Sequence, residues 1–115
     1  MPINQQLHDE VMRLHAQVCS GLSDPTRILI LYSLSEKSLS VGELAKILEI
    51  NQPTVSRHLQ ILRDRNLVVA SREGNNVFYS LADQRIIQAL DLLRAVLTDN
   101  LLRQSTLVKT AITPR

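Results

Sequence analysis

The amino-acid sequence predicts an all-α fold carrying one small β-hairpin, a winged helix-turn-helix. Three observations predict it. Apolar residues recur at helical spacing through most of the chain. A short segment that opens on a capping box is followed, after a three-residue break, by a helical segment with a polar outer face. Directly afterwards the helical period gives way to two short β-type runs around Glu73-Gly74-Asn75-Asn76.

The first segment sets Ile3, Leu7, Val11, Leu14 and Val18 at steps of four, four, three and four, so a helix is expected over roughly Asn4 to Ser20, closed by Gly21 as its C-terminal cap. Asp24 can cap a second helix, about Pro25 to Leu34, whose Pro25 loses no hydrogen bond at the first position. Ile28, Leu29, Ile30, Leu31, Tyr32 and Leu34 make that helix apolar nearly all round, which predicts burial on every side. Ser40 and Glu43 form the capping box of a third helix, about Val41 to Leu48. After the turn Glu49-Ile50-Asn51, Asn51 can cap a fourth helix running about Gln52 to Arg65. Its Val55, Leu59 and Leu62 share one face, Arg57, Gln60 and Asp64 the opposite face, and Thr54, Ser56 and His58 flank the apolar side.

The β-type runs Leu67 to Ala70 and Val77 to Leu81 read as a hairpin, the wing. Asp83 then caps a last helix that steps through Ile86, Leu90, Leu93, Leu97 and Leu101 and reaches about Arg103. A second row at Ala89, Leu92 and Val96 widens its stripe beyond what one small core needs, so the excess is expected to meet a second chain. Leu90, Leu93 and Leu97, with Leu7, Val11 and Leu14 of the first helix, are the candidate dimer contacts. From Leu107 to Arg115 no pattern is readable, and a frayed end is expected.

At 115 residues the chain has the length of one domain, taken as 1–115. Its 44% hydrophobic and 21% charged residues, with Gly at 3 and Pro at 4, exclude collagen-like and disordered classes. The longest apolar run, Ile28 to Tyr32, is far short of the roughly 20 residues of a membrane span. The opening Met-Pro-Ile-Asn-Gln-Gln carries neither a basic nor an apolar leader region, so no membrane partner and a cytoplasmic location are expected. Cys19 is the single cysteine and can form no intrachain disulfide.

The net charge of +2 lies in one stretch: between Asn51 and Ser80, Arg57, Arg63, Arg65 and Arg72 face only Asp64 and Glu73, while the remainder balances. Within it Gln52, Thr54, Ser56, Arg57 and Gln60 combine short polar and amide side chains with one guanidinium, a set suited to base edges and phosphates. An ordinary solvated face would hold more Glu and Lys. His58 joins the candidate DNA contacts, although packing or local pairing accounts for it equally well. Arg72 on the wing is the other phosphate or minor-groove candidate; Asn75 can hydrogen-bond to DNA, yet Gly74-Asn75 is also good turn chemistry.

The order of elements and the local strings together resemble the ArsR/SmtB family of bacterial winged-helix repressors over roughly Val18 to Leu102. The strings are Leu22-Ser23-Asp24-Pro25-Thr26-Arg27, Leu39-Ser40-Val41-Gly42-Glu43-Leu44-Ala45, Gln52-Pro53-Thr54-Val55-Ser56-Arg57-His58-Leu59, and Leu62-Arg63 through Asn66-Leu67-Val68 into Glu73-Gly74. The resemblance implies a homodimer paired through its first and last helices, with the fourth helix in the major groove of an inverted-repeat operator. Family wings often carry a basic residue just after Glu-Gly, where this chain has Asn75. The family's soft-metal box, Leu-Cys-Val-Cys-Asp-Leu, is here Leu39-Ser40-Val41-Gly42-Glu43-Leu44, and its last-helix zinc positions fall on Asp83, Arg85, Val96 and Asp99. Both usual metal sites lack their ligands, and no cofactor is expected.

One other constellation stands outside the family pattern. His8, His15 and Cys19 fall within about a 40° arc of a helix, and two imidazoles and a thiolate suit a borderline metal. The competing reading makes Cys19 a small apolar residue and the histidines exposed polar ones. A metal-responsive repressor with this atypical site and a winged-helix protein-interaction module are therefore the alternatives to a repressor answering an unidentified small-molecule or redox inducer. No nucleophile triad, Gly-rich phosphate loop or paired carboxylates are present, so the chain is not expected to be an enzyme.

Overall fold

The computed structural model describes the backbone of residues 2–112 and side chains through residue 104. Its elements are α1 (Gln5–Leu14), a π-turn (His15–Cys19), α2 (Pro25–Leu34), α3 (Val41–Leu48), α4 (Gln52–Asp64), β1 (Val68–Glu73), β2 (Asn76–Leu81) and α5 (Arg85–Ile112). The unit that ends at Gln84 and the helix that begins at Arg85 are separate compact units.

Capping chemistry starts each helix of the first unit. Asn4 accepts from Leu7 N–H at 2.8 Å and Asp24 from Thr26 N–H at 2.7 Å. At α3 both arms of the capping box form, Glu43 N–H to Ser40 Oγ and Ser40 N–H to Glu43 Oε1. Asn51 accepts from Thr54 N–H at 2.9 Å. The ends use left-handed residues: Glu49 (φ 57) after α3 and Asn66 (φ 60) after α4. Behind α4, Leu67 N–H reaches Leu62 carbonyl at 2.9 Å and Asn66 N–H reaches Arg63 carbonyl at 3.0 Å, a Schellman closure whose two apolar partners, Leu62 and Leu67, are both buried.

The core of this unit is Ile30, Leu31 and Leu34 of α2, Leu39, Leu44 and Ala45, the Val55/Leu59/Leu62 face of α4, and Leu67 and Val68 leading into the hairpin. Each fully buried aliphatic side chain contributes about 1.5–3 kcal/mol. β1 and β2 pair antiparallel in the register Val68↔Leu81 through Glu73↔Asn76, around Gly74 and Asn75. Only the first of these turn residues has positive φ, as in a type II′ turn. Leu39 adds a short third edge: its N–H donates to Tyr79 carbonyl at 3.0 Å and Tyr79 N–H returns at 2.8 Å. The sequence pattern gave no sign of that bridge, because one residue has no period.

Four expectations are corrected. The first helix is not uniformly α: Ser20 N–H donates to His15 carbonyl, five residues back. Gly21 is not a left-handed cap, since among the described glycines only Gly74 has positive φ. Burial on all sides of α2 fails at Leu29, which is 52% exposed, while Arg27 on the same helix is buried. The last helix does not end near Arg103 but continues to Ile112; residues 113–115 lie outside the described residues.

What Gly21 does supply is a close approach. A Cβ there would meet Leu67 Cδ1 at 2.8 Å and Arg65 Cδ at 3.4 Å. Gly21→Ala is therefore expected to destabilise the domain by about 1–3 kcal/mol through overpacking, checked by denaturant unfolding.

Candidate nucleic-acid interface

The face of α4 opposite the core carries the polar set read from the sequence. Gln52, Ser56, Arg57 and Gln60 are exposed and Thr54 is half-buried. Gln60 Nε2 donates to Asp64 Oδ1 at 2.8 Å, which occupies one of its amide hydrogens and orients the group along the helix. Gln52 leans over the start of α3, where its Nε2 would lie 3.5 Å from a Cβ on Gly42. Arg63 is exposed and completes the row Ser56, Gln60, Arg63 at steps of four and three, a row legible in the spacing but not singled out from it. Among the described residues Arg57, Arg63 and Arg72 make no ion pair, so their guanidinium groups are open to a polyanion.

On the hairpin, Arg72 of β1 pairs with Val77 and is exposed, and Asn75 sits exposed at the tip. The tip carries no charge of its own beyond Glu73, so its cation is set back on the strand.

His58 leaves the outward set. It is 6% exposed, and its Nδ1 lies 3.2 Å from Arg27 Nη1. A guanidinium only donates, so Nδ1 accepts and the ring is neutral with its proton on Nε2. Arg27 is itself buried and spends its other donors on the Gly21 carbonyl (Nε, 2.7 Å), the Ser20 carbonyl (Nη2, 3.3 Å) and Ser23 Oγ (Nη2, 3.4 Å). Burial pushes His58 below the usual imidazole range, Arg27 and Arg57 push the same way, and Asp24 opposes them. The Thr26 N–H bonded to Asp24 holds that carboxyl below the usual carboxylate range. Sequence spacing put His58 at the edge of the apolar face but could not supply its partner 31 residues away.

The His8, His15 and Cys19 arrangement does not converge. A shared helix face is not a shared point: eleven residues at about 1.5 Å each separate His8 from Cys19 by roughly 16 Å along the axis. His8 Nδ1 instead lies 3.4 Å from Asp9 Oδ1 and Cys19 is exposed. Among the described residues no group of three His, Cys, Asp or Glu could hold a metal ion.

Of the candidate dimer contacts, Leu7, Val11 and Leu14 are exposed on α1, and Leu93 and Leu97 on α5. The exposed row on α5 also includes Leu92, Val96, Leu101 and Leu102, while Leu90 stays a candidate from the sequence. No described helix is long and apolar enough to cross a membrane.

The model of the bacterial regulatory protein arsR family matches residues 24–69, from the cap of α2 into β1. The chain is 38% identical over 88 residues to the transcriptional repressor SmtB homolog of Synechocystis, a match covering 72% of this chain and 67% of that protein. The chain belongs to the ArsR family. This ArsR-family protein spans about two thirds of the length of the curated relatives it matches. Among solved structures it resembles NolR from Sinorhizobium fredii, with a TM-score of 0.72 at 31% identity over 84% of this chain and 95% of that one. It also resembles a homodimeric winged helix-turn-helix DNA-binding domain from Mycobacterium bovis, with a TM-score of 0.73 at 27% identity over 88% and 94%. The ArsR-family core thus coincides with the α2 to β1 stretch in which the Arg27–His58 contact is built.

Because His58 titrates below its unfolded value of 6.5, the unfolded chain of this ArsR-family protein binds the extra proton first as pH falls. Stability is therefore lost as pH drops below about 6.5, until the folded ring also charges. In His58→Gln, whose carbonyl can still accept from Arg27, that loss should disappear, so the variant is less destabilising at pH 5.5 than at pH 7.5. Urea midpoints at the two pH values measure this; Asp24, held below its unfolded value of 3.8, contributes in a more acidic range.

Proposed function

We propose that the chain is a homodimeric transcriptional repressor that reads an inverted-repeat operator with two copies of α4. The observation that carries this reading is the exposed face of α4: amides, hydroxyls and unpaired guanidinium groups above a fully buried Val55/Leu59/Leu62 face. Gln52, Thr54, Ser56, Arg57 and Gln60 meet base edges and phosphates in the major groove, and Arg72 with Asn75 meets the neighbouring backbone. A protein groove would call for an apolar outer face, and α4 has none. The exposed leucine rows of α1 and of α5 each meet the second copy. Two recognition helices about 34–36 Å apart then fall in successive major grooves.

Release from DNA requires a ligand that prefers the non-binding dimer. Ser40 and Gly42 stand where one family metal site has cysteines, and Arg85 and Val96 where the other has histidines. We therefore assign the inducer role to an organic or redox signal rather than to a metal at either site.

Selection from random-sequence duplexes is expected to recover an inverted repeat. On that sequence Arg57→Ala should cost about 1–3 kcal/mol in specific binding if the guanidinium reads a base, with a smaller, sequence-blind loss if it holds phosphate. Fluorescence anisotropy at several salt concentrations separates the two, and unchanged affinity at every salt concentration removes α4 from the interface. Leu93→Glu, placing a charge in the exposed row of α5, should yield monomers or aggregates with much weaker operator binding. Light scattering that finds a fully dimeric, active Leu93→Glu protein would place the interface elsewhere.

A further inference from the structure

The first helix is held to the rest of its unit by very little. No residue of α1 is buried, and its apolar row faces solvent, so packing along its length does not set its direction. What sets it is the π-turn at its end. Widening one turn there diverts Ser20 N–H to the His15 carbonyl, and the next carbonyl, Ala16, accepts from two side chains. Arg65 Nη1 donates to it at 2.5 Å across 49 residues of sequence, and Ser20 Oγ donates to it locally. Gln17 Nε2 donates back to the Arg65 carbonyl at 3.4 Å. Gly21 lets the Arg65 stem lie close, since a Cβ there would be 3.4 Å from Arg65 Cδ. Arg65 is the residue on which α4 ends, fixed by its N–H to the Ile61 carbonyl and by the closure through Asn66 and Leu67.

We propose that Arg65 is a positioning residue: by capping the π-turn at Ala16 it fixes the angle between α1 and the recognition helix α4, and so sets the half-site separation the dimer accepts. The proposal rests on the operator-binding dimer described above. A partner protomer docked on the apolar row of α1 acts on α4 through this joint, which ties the π-turn directly to the end of α4, while Arg27 holds the Ser20 and Gly21 carbonyls that follow it. Two reciprocal hydrogen bonds, one from each side, resist rotation where a single bond would act as a pivot. Arg65 would then govern DNA geometry without touching DNA.

The test uses the 115-residue chain with Cys19→Ser and nitroxide labels at Gln6→Cys and Gln60→Cys, both exposed positions, diluted in excess unlabelled chain so that distances are intrachain. Electron–electron resonance should give one narrow α1–α4 distance. Arg65→Met, which keeps the stem and loses the donors, should broaden or shift it, and Arg65→Lys should restore it. On inverted repeats with spacers varied by one and two base pairs, the unlabelled parent with Gln60 intact should prefer one spacer. Arg65→Met should lose about tenfold on that spacer and flatten the preference, with the salt slope unchanged. An identical distance distribution in Arg65→Met overturns the proposal, as does a salt slope reduced by about one, which marks a direct phosphate contact. If no repeat is bound at all, the operator reading fails while the distance measurement still decides the joint.

Discussion

A buried guanidinium organises the centre of this domain. Arg27 sits at 9% exposure on a helix that otherwise supplies Ile30, Leu31 and Leu34 to the core. A cation removed from water must find compensating acceptors, or its desolvation costs several kcal/mol. It finds them in the Ser20 and Gly21 carbonyls, which lie at the negative end of the preceding helical run, and in the Nδ1 of a neutral His58. The same contacts bind three elements of sequence together: the exit from the first helix, the entry to α2, and the middle of α4. The imidazole must stay neutral for this to hold, because a second proton would set two cations against each other in a space that has excluded water.

That anchoring explains how α4 can be sharply divided. One face is Val55, Leu59 and Leu62, with no exposure at all, and His58 is drawn down beside it. The other face keeps hydroxyls, amides and arginines in solvent with a single carboxylate, Asp64, already engaged by Gln60. A helix fixed this firmly from below can present weakly interacting polar groups above with little loss on binding, since the backbone that carries them is already ordered. The capping contacts of Asn51 at its start and the Asn66/Leu67 closure at its end add to the same rigidity.

The two helices that bracket this unit in sequence are different in kind. α1 has no buried residue, and α5 exposes Leu92, Leu93, Val96, Leu97, Leu101 and Leu102. In the dimer we propose, these surfaces meet the second copy. The chain thus separates labour: a core built around α2, α3 and α4, and two helices with exposed apolar rows.

Local signals were enough to determine much of this from the sequence alone. The residues that start α2, α3 and α4, Asp24, Ser40 with Glu43, and Asn51, act on backbone groups two or three positions away, so their effect is written within a few letters of themselves. The Val55/Leu59/Leu62 face and the hairpin around Gly74 are likewise local periodicities. Tertiary structure decided whatever depends on distant residues meeting. Arg27 has no role that local spacing marks until His58, Ser20 and Gly21 surround it; Gly21 reads as a cap until Leu67 lies against it; Leu29 reads as core until its side of α2 is left uncovered; and His8, His15 and Cys19 read as a ligand set until their separation along the helix axis is counted. In each case the deciding term is a contact or a distance in space, which a pattern of spacings along one chain does not contain.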